Sequence, residues 1–223
     1  MNTSNRNTFW QVLPRAAGLW GPWVLATALG LGIGSWLLII GSLIIGGLLD
    51  IVHASTLVGL LAVAIVLLPA GVTLGIAQWL VIRKRGPRLG SWIWMSVLGA
   101  PPLVAHVAYG LFIAAAGGGS LRSSLPSWYF ALGAAAGGWL GACQSVIVRR
   151  MAPRARWWIA GTMLGGALCG MAVQAPVFLG VPTTWQFPMT GLVLMGSVTG
   201  ITLVLLLHPG PETPGHARCS YTA

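Results

Sequence analysis

Gly71-Val-Thr-Leu-Gly75-Ile-Ala-Gln78-Trp-Leu-Val-Ile82-Arg83-Lys84 has a counterpart 66 positions later, Gly137-Gly-Trp-Leu-Gly141-Ala-Cys-Gln144-Ser-Val-Ile-Val148-Arg149-Arg150. In the same register Pro87 meets Pro153, Trp92 meets Trp158 and Gly99 meets Gly165. Two Gly, a Gln, a basic pair, a Pro, a Trp and a further Gly in one register are not expected by chance. The repeated unit reads as an apolar helix, a basic turn and a second apolar helix.

Outward from this stretch the chain is 56% hydrophobic and only 6% charged. A soluble domain carries about 25% charged residues, so the composition is that of a membrane protein. The 32 Gly and 12 Trp fit that class, because Gly permits close helix contact and Trp anchors at headgroups. A bilayer core takes about 20 apolar residues per helix. On that scale the sequence predicts six spans, near 20–48, 54–82, 91–116, 127–148 and two within the uncharged run 157–207. The last run is too long for one crossing, and Pro182-Thr-Thr-Trp-Gln-Phe-Pro188 divides it. Residues 1–18 read as a polar leader to span one. Asp50 and His53 mark a short turn, 117–126 a Gly-rich loop, and the Pro- and Gly-rich stretch 209–223 a disordered tail. The expected organisation is one membrane domain over 1–208, with repeats at about 57–116 and 123–182.

Six spans place both termini on one side. Arg6, Arg15, the basic turns after spans two and four, and Arg218 then share that side, eleven Lys and Arg in all, against Arg122 alone. The positive-inside rule makes the eleven-residue side cytoplasmic. The two copies enter the membrane in the same direction, so they are parallel repeats. Partial relatives flank them. Gly196-Ser-Val-Thr-Gly200 aligns with 137–141 at an offset of 59, with Leu203 at the Gln position, and Gly30-Leu-Gly-Ile-Gly34 keeps only a glycine pair. The net charge of +10 is accounted for by loop bias, and no soluble basic face points to nucleic acid.

Gly71, Gly75 and Gln78 fall on one helix face, as do Gly133, Gly137, Gly141 and Gln144. Small residues four apart let backbones approach, and a Gln amide near the headgroups can bond across the contact. Gly196 and Gly200 extend the same packing role to span six. Arg83, Lys84, Arg85, Arg88, Arg149, Arg150, Arg154 and Arg156, beside Trp79, Trp92, Trp94, Trp157 and Trp158, form a surface suited to anionic lipid headgroups. His106 is the titratable side chain well inside a span. It follows Pro101-Pro102, which should kink span three and free the carbonyls of Val97 and Leu98. Its position, 18 residues past Arg88, is in the outer half of the membrane. A neutral ring there either takes a bond from a neighbouring helix or ligates a haem or pigment metal. Gln174 and Pro176 form a weaker polar-plus-kink pair at similar depth.

Catalysis is not expected. Asp50 and Glu212 are the two acidic residues, on opposite sides of the expected membrane, and no carboxylate pair, His cluster or phosphate loop can be assembled. Cys143, Cys169 and Cys219 show neither disulfide nor zinc spacing. The pattern Gly-x-x-Gln-Trp-x-x-Ile-Arg with its Pro turn and Trp resembles a group of uncharacterised bacterial polytopic membrane proteins in which G-x-x-Q-W-x-x-L-R hairpins recur. The likeness covers about 71–99 and 137–170, and Ser145 stands where the group has Trp. It implies a repeated-hairpin membrane protein in a bacterial cytoplasmic membrane. The expected function is a non-catalytic structural or accessory subunit of a membrane assembly, touching anionic lipids and other membrane subunits. A small-solute channel, or a haem- or pigment-binding subunit using His106, are the alternatives.

Overall fold

The computed structural model describes residues 6–51, 56–85, 89–115, 126–152, 154–179 and 186–207. Among these the chain forms seven α-helices and no strand: α1 (Arg6–Ile51), α2 (Thr56–Ile82), α3 (Leu89–Gly99), α4 (Pro101–Ala115), α5 (Pro126–Met151), α6 (Arg156–Leu179) and α7 (Gln186–Leu207). Five of the helices are long and apolar enough to cross a membrane, and the bent pair α3–α4 makes a sixth if counted as one span. The protein is thus a helical, multi-pass membrane protein. His53, the loop 117–125, the segment 182–185 and the tail with Cys219 lie outside the described residues.

Two elements differ from the sequence expectation. The first helix already runs from Arg6, where a polar leader was expected over 1–18. Helix propagation is cooperative, and the formed span carries α1 back past Pro14, a residue type that by itself disfavours a helix interior. The turn expected at Asp50 is also passed, since α1 continues to Ile51. The second difference is at Pro101-Pro102, where the expected kink is a full break. The two halves meet at 52°. Neither proline has an N–H to continue α3, so Ala100 closes it by donating to the Ser96 carbonyl at 2.7 Å. Ala100 then opens α4 by accepting from Val104 at 2.9 Å. Pro101 occupies the first helical position, where its missing donor costs nothing. Of the two carbonyls the prolines release, Leu98 O is taken by the indole N–H of Trp139, at 2.9 Å, from α5.

Around the bundle α1 packs on α2, α2 on α3, α3 on α5, α5 on α6, α6 on α7, and α7 back on α1. The ring is closed. The bend turns α4 into its middle, against α1, α2, α5, α6 and α7. There Leu103, Val104, Val107 and Ala108 meet Leu31, Leu74, Leu140, Val173, Leu192 and Met195 in one buried cluster. Lipid offers no hydrophobic drive for such a cluster, so close packing must supply the cohesion.

Candidate functional site

The other end of the bundle axis is filled by large side chains. Trp23, Trp92 and Trp158 each have no exposed surface. Trp23 stands edge-on to both partners, with ring centroids 6.3 Å from Trp92 and 5.6 Å from Trp158. Edge-to-face pairs at such spacing are worth ~0.5–1.5 kcal/mol beyond burial. Leu19, Ile82, Val148, Ala155 and Leu203 complete the cluster. It joins Leu19 and Trp23 of α1 and the starts of α3 and α6 to the ends of α2, α5 and α7. The Trp23 indole donates to Thr199 Oγ1 of α7 at 3.1 Å. The indole N–H groups of Trp92 and Trp158 are buried without a partner among the described residues.

One helical turn deeper lies a polar layer. Gln144 Nε2 donates to Gln78 Oε1 at 2.9 Å and to Ser96 Oγ at 3.1 Å. Gln78 Nε2 donates to Thr27 Oγ1 at 3.3 Å. Four helices, α1, α2, α3 and α5, are thereby tied through two amides that are 2% and 0% exposed. Gln144 Oε1 is left without a partner among the described residues.

The glycines singled out by the sequence are all buried and face neighbouring helices. A Cβ on Gly75 would come within 3.0 Å of Ile93 Cα, and one on Gly141 within 3.1 Å of Ile159 Cα. These contacts are matched residue for residue by the 66-position register. Gly71 faces Val97 of α3, while Gly133 and Gly137 meet Gly166 and the Thr162 carbonyl of α6. Gly196 faces Val24, and Gly200 the indoles of Trp20 and Trp23.

The 66-residue register does not reach Trp23 or Thr27, and it pairs Ser96 with Thr162, a match the sequence reading did not single out. The signal that finds them is the spacing Trp-x-x-x-[Ser/Thr]-x-x-Gly. It occurs as Trp23–Thr27–Gly30, Trp92–Ser96–Gly99 and Trp158–Thr162–Gly165.

Arg83, Lys84, Arg149, Arg150, Arg154 and Arg156 are exposed at this same end. Arg88 lies outside the described residues, and so does the side chain of Arg85. Of the tryptophans grouped with them, Trp94 and Trp157 are 64% and 57% exposed. Trp92 and Trp158 are not headgroup anchors. They point into the axis, Trp92 two positions before the exposed Trp94 and Trp158 one position after the exposed Trp157.

His106 lies at the far end, between α4, α5 and α6. Its ring centroid is 6.2 Å from that of Tyr129. Its Nε2 has no hydrogen-bond partner among the described residues, and it abuts the α6 backbone, where a Cβ on Gly170 would sit 2.8 Å away. Among the described residues, Nε2 makes no bond to a neighbouring helix, the first of the two roles expected for this ring. Gln174 is buried on the same helix as Gly170, near Gly110 of α4. The Pro176 side chain is not among those described. No protein family, curated protein or solved structure matches the chain.

Proposed function

We propose that this chain is a non-catalytic scaffold subunit of a larger membrane assembly, spanning a bacterial cytoplasmic membrane six times with both termini inside. The observation that carries the reading is the Gln78–Gln144 bond between matched residues. Its setting is an axis occupied by side chains that hold helices to one another. Near the basic end the amide N–H groups of Gln78 and Gln144 and the hydroxyls of Thr27, Ser96, Thr162 and Thr199 make interhelical or same-helix bonds, while Gln144 Oε1 has no partner among the described residues. A solute path along the axis would have to displace three buried indoles and this polar layer. That weighs against the channel alternative. A haem or pigment on His106 Nε2 would have to push the α6 backbone away at Gly170, which weighs against the cofactor alternative.

The same positions suggest how the scaffold is built. The hairpins α2–α3 and α5–α6 are the two parallel repeats. α7, with Gly196 and Gly200, takes the place of α2 and α5. α1, with Trp23, Thr27 and Gly30, takes the place of α3 and α6. On this reading three hairpins surround one axis, and the third is split between the two ends of the chain. The basic turns lie on the cytoplasmic side beside anionic lipid. Extraction in mild detergent followed by mass measurement of the intact complex tests the role. The expected result is co-purification with other membrane subunits in fixed ratio. A free single chain that carries solute flux in proteoliposomes would instead establish a channel.

A further inference from the structure

A groove of about 540 Å³ opens on the outer face of the bundle between α6 and α7, at the basic end. Its mouth is Arg154 with the exposed Trp157, its floor is Gly161 and Thr202, and its walls are Leu164 and Leu205. The size is in the range of small-molecule sites, ~300–1,000 Å³. From Arg154 to Leu164 it runs about 15 Å along the helix, at ~1.5 Å per residue. The Thr202 hydroxyl is already bonded to the Val198 carbonyl at 2.8 Å, so the floor presents apolar surface.

The groove exists because this seam lacks a bulky residue that covers the equivalent one. In the seam between α3 and α5, Met95 stands at the position of Gly161 and Trp139 at the position of Val198. There Trp139 lies across the seam and bonds Leu98 O. Val198 leaves open, between α6 and α7, the space that Trp139 covers in the other seam, while Gly161 is packed directly against the Thr202 side chain, with which a Cβ would collide. The occupant must therefore be long and apolar, with an anion at the Arg154 end. Arg154 has little chance of a carboxylate partner in its own chain, which has two acidic residues in all. An aromatic ring at the rim suits headgroup depth, and basic pockets between spans are known headgroup sites.

We infer that the α6–α7 groove holds one acyl chain of an anionic phospholipid, with its phosphate on Arg154. The inference rests on the membrane placement of the bundle and is independent of its role in an assembly. The test is native mass spectrometry of the purified, delipidated protein titrated with palmitoyl-oleoyl phosphatidylglycerol or phosphatidylcholine. Wild type should retain one phosphatidylglycerol in preference to phosphatidylcholine. Arg154→Gln should cut that preference about fivefold, the worth of one basic residue beside an anionic surface. Arg149→Gln, exposed but off the groove, should leave it unchanged. Val198→Trp should weaken retention of either lipid at least about tenfold by filling the seam as Trp139 does. Leu205→Trp, at a position 71% exposed, should do the same without burdening the fold. Equal retention of the two lipids by wild type, or wild-type binding by both Arg154→Gln and Leu205→Trp, overturns the assignment.

Discussion

Gln144 donates to Gln78 at 2.9 Å, and each of these residues is the counterpart of the other in the 66-residue register. Residues related by a rotation meet one another only near the axis of that rotation. On the proposed repeat the bond marks where the two hairpins converge, and the hydroxyls of Ser96 and Thr27 are bonded to the same two amides. Intramembrane hydrogen bonds average ~0.6 kcal/mol and reach ~1.7. A double-mutant cycle with Gln78→Leu and Gln144→Leu, followed by unfolding in mixed micelles, should give a coupling of about 1 kcal/mol. Strict additivity would mean that the amides do not depend on each other.

The helix break at Ala100 offers a sharper case, because it pairs a missing donor with a substitute. Trp139→Phe keeps an aromatic side chain, smaller than the indole, and removes the N–H that satisfies Leu98 O. The loss of one such bond costs about 1 kcal/mol. Trp94→Phe, at a residue 64% exposed, is expected to change stability by less than about 0.5 kcal/mol. Thermal unfolding of the two variants in the same detergent makes the comparison. Equal stabilities would show that the Leu98 carbonyl is satisfied in another way.

Gly141 is close enough to Ile159 and Thr162 that Leu in its place has nowhere to go. Gly141→Leu should destabilise by about 3 kcal/mol or more, the upper range for overpacking. Its neighbour Ala142 faces outward, so Ala142→Leu is expected to accumulate in the membrane at wild-type levels. Accumulation of the two variants side by side separates a packing face from general intolerance of bulk.

His106→Phe should leave a folded protein of slightly altered stability, and the purified wild type should be colourless. A visible absorption band that vanishes in His106→Phe would make this ring an axial ligand, and the contact with Gly170 would then have to open on binding.

Much of this architecture was legible because lipid simplifies the code. Span positions follow from the scarcity of charge, and the inward faces of α2 and α5 follow from Gly71–Gly75–Gln78 and Gly137–Gly141–Gln144. What was not legible depended on partners distant in sequence. That the two Gln would bond each other, and not merely a neighbouring helix, depends on where an axis falls. Trp23 escaped the register because its spacing to Trp92 is 69 positions rather than 66, and because the helix that resembles α2 and α5 most closely near the end of the chain, α7, finds its partner at the other end. The break at Ala100 was anticipated only as a kink, since two consecutive prolines remove two donors and Trp139, from a different helix, makes the full break affordable.

The central claim, six crossings with both basic turns inside, is tested most directly by an impermeant thiol reagent applied to intact cells. Ser123→Cys should react, and native Cys219 should react only after the cells are permeabilised. Labelling of Cys219 with Ser123→Cys silent would invert the bundle. Labelling of both in intact cells would require an even number of crossings between Ser123 and Cys219, where the six-span reading has three, and would contradict that reading outright.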